Sequence, residues 1–85
     1  MWYQLPVHTY YFDITSDGTC NPDLIGTLLM SGSAAWLEAI KIASELVFDE
    51  FPGVVSNRRL RVVARDESGK LVADIDLDYD PSIRQ

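Results

Sequence analysis

Hydrophobic and polar positions alternate along this chain in three runs, and between the first and second of these they recur every three to four residues. Over residues 9–15, Tyr10, Phe12 and Ile14 share one parity, and Thr9, Tyr11, Asp13 and Thr15 the other. That period of two predicts a strand with one buried face. Over residues 58–65, Leu60, Val62 and Ala64 alternate with Arg59, Arg61 and Arg65; over 70–79, Ala73, Ile75 and Leu77 alternate with Asp74, Asp76 and Asp78. An arginine strand is thus followed by an aspartate strand. Between the first and second runs, Trp36, Ala39, Ile40, Ala43, Leu46 and Val47 form a stripe at helical spacing, with Glu38, Lys41, Glu45 and Asp49 opposite. Ser31 is placed to cap the helix, and Pro52-Gly53 to stop it, which predicts a helix over 32–50. A short strand over 23–29, interrupted by Gly26, completes the pattern.

The expected fold is α+β: a four-stranded antiparallel sheet (ββαββ) with one amphipathic helix packed on one face. The domain spans residues 9–80, with an N-terminal arm at 1–8 and a loose end at 81–85. A right-handed return after the helix favours the order second-first-third-fourth strand. The expected core is Tyr10, Phe12, Ile14, Trp36, Ala39, Ile40, Ala43, Leu46, Val47, Leu60, Val62, Ile75 and Leu77. Asp17-Gly18 supplies turn chemistry, since both residue types tolerate positive φ. The alternation in the last two strands sets Arg65 opposite Lys70 across a four-residue loop, 66–69, with Gly69 left-handed. The same register sets Arg61 opposite Asp74, Arg59 opposite Asp76 and Val63 opposite Val72.

Composition narrows the functions open to such a domain. The net charge is −6, a field that repels nucleic acid and anionic membrane, so nucleic acid is not expected as a partner. The arginines of the third strand are compensated by the aspartates of the fourth. No run approaches the ~18 apolar residues of a membrane span. Residues 1–10 hold neither lysine nor arginine and no apolar stretch of signal-peptide length. Cys20 is the only cysteine, which suits a reducing, cytoplasmic setting. No cofactor is expected.

The series Asp74, Asp76, Asp78, Asp80 resembles a cation site at first sight. Strand spacing holds successive carboxylates of one face about 7 Å apart, too open for one ion, so a ladder with the arginines is the expected use and no metal site is assigned. The one histidine, His8, precedes the first strand at a surface or arm position, so no Ser/His/Asp site is assigned. Asp17, Cys20 and Asp23 lie close in sequence in the first loop, where they more readily shape a turn than a catalytic centre. The expectation is a protein that is not an enzyme, with no catalytic residues.

The motifs Tyr10-Tyr11-Phe12-Asp13, Asp17-Gly18, Asp23-Leu24-Ile25-Gly26, Glu38-Ala39 and Val62 to Lys70 resemble a small bacterial family known as domain of unknown function 6894. The stretch from Leu29 to Ala35 is similar to the family's approach to its helix, with Ser31 where an aspartate is usual. The resemblance covers residues 9–79 and implies a ββαββ domain; it carries over no functional residue. The N-terminal arm and Cys20-Asn21-Pro22 depart from the pattern. The chain also resembles antitoxins of the HicB type in its aromatic strand, turn, second strand and alanine-rich helix, but it lacks their Leu-Pro-Gly-Cys-like segment. That resemblance implies an alternative, a regulator that binds a toxin partner and possibly DNA.

Apolar residues are left over once the core is filled: Trp2, Leu5, Val7, Tyr11, Leu37, Phe48, Val63 and Val72. Surplus of this kind marks an interface. The expected function is a protein-interaction module, pairing with a second copy as a homodimer or with another protein, and Trp2, Leu5, Tyr11, Leu37, Phe48, Val63 and Val72 are its candidate interface residues.

Overall fold

A computed structural model describes residues 6–50 and 58–79. In chain order these form β1 (His8–Ser16), β2 (Thr19–Asn21), β3 (Thr27–Leu29), α1 (Gly32–Glu50), β4 (Arg58–Arg65) and β5 (Leu71–Tyr79). All strand pairs are antiparallel, in the order β2-β1-β4-β5, with β3 also paired to β1. The α+β class, the helix boundaries and the strand order agree with the reading of the sequence. Of the expected arm at 1–8, residues 1–5 lie outside the described residues and His8 already belongs to β1; the helix stop at Pro52-Gly53 and the end at 81–85 also lie outside the described residues.

The expected second strand is two short strands instead. Ser16 pairs Thr19 across Asp17-Gly18, and both turn residues have positive φ, 50° and 86°, the geometry of a tight two-residue hairpin. That hairpin ends at Asn21, because Pro22 has no amide with which to continue the ladder. The chain leaves β1 over 22–26 and rejoins it at Thr27, opposite Tyr10. Asp23 lies in this excursion rather than in a strand.

The core lies between one sheet face and α1. Tyr10, Phe12, Leu60, Val62, Ala64 and Ala73 are buried from the sheet, and Ala35, Ala39 and Ala43 from the helix. Ile14, Leu29, Ile42, Val72, Ile75 and Leu77 pack around them. The helix is thus rotated from its expected setting. Ala35 was not expected in the core, whereas Trp36 was and stands 47% exposed; Ile40, Leu46 and Val47 are half-buried. The alanine row at i, i+4, i+8 lets the helix axis approach the sheet, and an indole facing that seam would hold the two layers apart. The Ser31 Oγ caps the helix by accepting from the Ala34 N–H at 3.1 Å, as its position in the sequence predicts.

The final hairpin has a different register from the one expected. Arg61 stands opposite Asp76, Arg59 opposite Asp78 and Val63 opposite Asp74, with an irregularity at Ala64/Arg65. The pairing is shifted by two residues, an even step that keeps each strand's apolar positions facing inward, and a bulge beside the turn takes up the irregularity. The turn closes at Asp66 and Lys70 rather than at Arg65, and Gly69 takes φ 87° after the Asp66 to Gly69 turn. Asp66 Oδ1 accepts from the Ser68 N–H, the Ser68 hydroxyl and the Lys70 N–H. Its carboxyl is held below the ordinary value, first by the Ser68 hydroxyl.

Candidate interaction surface

The sheet face opposite α1 is charged and internally paired. Arg61 forks onto Asp74 at 2.8 and 2.6 Å, and Arg59 onto Asp76 at 3.3 and 2.9 Å. Both pairs were expected, but as direct neighbours. They form diagonally, because guanidinium stems span the offset between cross-strand positions. Each aspartate is held below its ordinary range by its arginine. The pairs are solvent-exposed and each contributes little to stability.

A third fork runs across strands that are distant in sequence. Arg65 stands opposite Tyr11 and binds Asp13 at 2.6 and 3.1 Å, with its guanidinium 5.2 Å from the centre of the Tyr11 ring. Asp13 Oδ1 also accepts the Asp23 N–H at 2.9 Å. The Asp23 carboxylate in turn accepts three backbone amides, Phe12 at 3.1 Å and Ile25 and Gly26 at 3.0 Å. Asp13 is depressed mainly by the Arg65 hydrogen bond, and Asp23 mainly by the Gly26 amide. Gly26 seats this excursion against β1. Its φ is +84°, and a Cβ there would stand 2.5 Å from the Thr9 side chain and 3.0 Å from the Tyr11 ring.

The excursion held so firmly exposes two aliphatic side chains. Leu24 is 86% exposed and Ile25 88%, with Leu28 on β3 at 66%. Met30, Trp36 and Leu37 follow, exposed before and within the first turns of α1. Between Asp23 and Glu38 the sequence holds no charged residue. Among the described residues, six of the eight large exposed apolar side chains fall in this one segment; Val7 and Leu71 are the others.

The candidate interface residues read from the sequence are distributed differently. Leu37 is exposed on α1, at 61%. Tyr11 and Val63 are half-buried on the charged face, Tyr11 under Arg65 and Val63 opposite Asp74. Val72 packs against the core, because the bulge turns it inward. Trp2 and Leu5 lie outside the described residues, as does the side chain of Phe48. The sequence reading missed Leu24, Ile25, Leu28 and Met30. A strand over 23–29 accounts for Leu24, Ile25 and Leu28 in that reading and Met30 has no role in it, although the long absence of charge is visible in the sequence.

The first-loop residues take structural places. Asp17 Oδ1 accepts the Arg59 N–H at 3.0 Å, and the Asp17 N–H donates to the Arg59 carbonyl at 2.9 Å. Cys20 is an exposed free thiol on β2. His8 is exposed, its Nδ1 3.7 Å from Glu67. Among the described residues no group of three His, Cys, Asp or Glu side chains is arranged to hold a metal ion. No helix among them is long and apolar enough to cross a membrane.

A single helix on an antiparallel sheet, with three strands before the helix and a hairpin after it, defines a class of small α+β domains. Residues 9–78 match the model of the family described as Domain of unknown function (DUF6894), and the chain belongs to that family. No curated protein and no solved structure matches the chain.

Proposed function

We propose that this chain is a non-enzymatic protein-interaction module that works as a homodimer. The observation that carries the reading is the uncharged segment 24–37, with its six exposed large apolar side chains. Each such side chain left in water forgoes about 1.5–3 kcal/mol of burial, a large sum for a domain of this size. A hydrogen-bonded clamp that holds Leu24 and Ile25 outward makes sense when a partner covers them. The polar groups support the same reading. Asp13 and Asp23 are engaged by amides and a guanidinium and pushed down, the wrong direction for a general acid at neutral pH.

Size-exclusion chromatography with light scattering tests the proposal. A dimer mass is expected at high micromolar concentration, and a clean monomer there would overturn it. The non-enzymatic part has its own test, the double variant Asp17→Ala, Cys20→Ala. It should preserve whatever phenotype the intact gene supports, apart from lower stability. Loss of that phenotype at an unchanged melting temperature would make the first loop a catalytic candidate.

A further inference from the structure

We infer that the second copy docks along the outer edge of β3, with Leu28 on the two-fold axis and Leu24, Ile25 and Met30 around it. The inference rests on the homodimer reading and says which surface makes the dimer. Backbone groups alternate in direction along a strand. The Thr9 N–H points toward the β4 side, to Glu67, and the Phe12 N–H points away from it, to Asp23. The amides of His8 and Tyr10 therefore face β3, and their opposite residues are Leu29 and Thr27. Leu28, opposite Thr9, is left with its N–H and C=O directed to the outer edge, where no strand pairs with β3 among the described residues. Two copies related by a two-fold axis at Leu28 can exchange both of these bonds, as one hydrogen-bonded antiparallel pair.

Charge decides between the two edges of the sheet. Self-pairing of β5 would bring Asp74, Asp76 and Asp78 toward the same residues of the other copy, and like charges opposed across strands are destabilising. The β3 edge has no such penalty, because the sequence from Leu24 to Leu37 is free of charge in a chain that carries −6. Area is consistent with a modest dimer. At roughly 100 Å² of apolar surface per large side chain, the six exposed groups offer about 400 Å² per copy, half of the ~800 Å² of a standard interface. Thr27, Ser31 and Ser33 lie among them and extend the uncharged surface.

Sedimentation equilibrium of the full chain, of Leu28→Lys and of Leu71→Lys tests this, with a melt of each. Leu28 is 66% exposed and Leu71 51%, so both variants should fold. Leu28→Lys should weaken dimerisation at least about tenfold, since it places two unpaired charges together. Leu71→Lys, on the other edge, should leave dimerisation unchanged. A monomeric wild-type chain would overturn the homodimer reading itself. A dimer that Leu28→Lys leaves intact, or that both variants weaken equally, would overturn the β3 surface while the homodimer stands. Should Leu28→Lys fail to fold, Ile25→Lys, at 88% exposed, answers the same question. Leu28→Pro adds a readout specific to edge pairing. It removes an N–H that has no partner among the described residues, so the melt should hold while the dimer dissociates.

Discussion

Asp23 accepts the backbone N–H of Phe12 at 3.1 Å, at the place where β1 has left β2 and has not yet met β3. A side chain here does the work of a missing strand. On the opposite edge Glu67 does the same for the Thr9 N–H, at 3.1 Å, just beyond the last β4 partner of β1. The central strand thus keeps these two amides paired at places where the ladder is interrupted.

Asp23→Ala removes the acceptor of three amides, one of them on the central strand. The expected cost is about 1–3 kcal/mol, the usual penalty for orphaned donors. For a domain of this size that is a fall in Tm on the order of 10 °C. Thermal melts followed by circular dichroism measure it. A change within error would mean that water replaces the carboxylate freely and that the excursion is not clamped.

The depressed aspartates fix the direction of the pH dependence. Asp13 and Asp23 both lie below their ordinary 3.8 in the folded chain. Their contribution is therefore fully present above the unfolded value of about 3.9 and is lost as pH falls through the lower folded values. Tm should be flat from neutral pH to about 5 and decline below about 4. In Asp13→Asn the neutral-pH Tm should be lower and the acid decline shallower. A decline centred above pH 5 would assign the acid sensitivity to other groups.

Gly26→Ala and Gly18→Ala separate backbone strain from steric clash. Both glycines have φ near +85°, but a Cβ at Gly18 meets nothing within 4 Å, whereas one at Gly26 meets Thr9 at 2.5 Å. Gly18→Ala should cost about 1–2 kcal/mol for the left-handed conformation alone. Gly26→Ala should cost more, because the β1 side chains must also move. Equal losses in urea unfolding would show that the excursion shifts aside at no cost.

The seam between helix and sheet is expected to respond to small residues rather than to the large one. Ala39→Leu forces a bulky group into a position that is 0% exposed. The expected loss is about 1–3 kcal/mol or more from overpacking. Trp36→Ala, at a residue 47% exposed, should cost less than Ala39→Leu. Differential scanning calorimetry of the two variants compares them directly, and the reverse order would return the indole to the core.

The sequence by itself determined the elements with strong periodicity. The alternation of Tyr10, Phe12 and Ile14, the cap at Ser31, the helix over 32–50 and the Arg/Asp hairpin were all legible, because each depends on spacing within a few residues. The order of strands followed from the handedness of the return. Tertiary structure decided what depends on separate elements meeting. A helical stripe broad enough to include both Ala35 and Trp36 does not say which of the two will face the seam; the closeness of the layers chose the alanine. Strand periodicity fixes which side each residue faces but not which residue it faces, so the bulge at Ala64/Arg65 could shift the register and turn Val72 inward. The Asp13–Arg65–Asp23 network joins the first strand, the excursion and the fourth strand. No local pattern specifies such a contact. It arises because Pro22 ends a ladder, Asp23 replaces it, and the chain between is held with Leu24 and Ile25 turned to solvent.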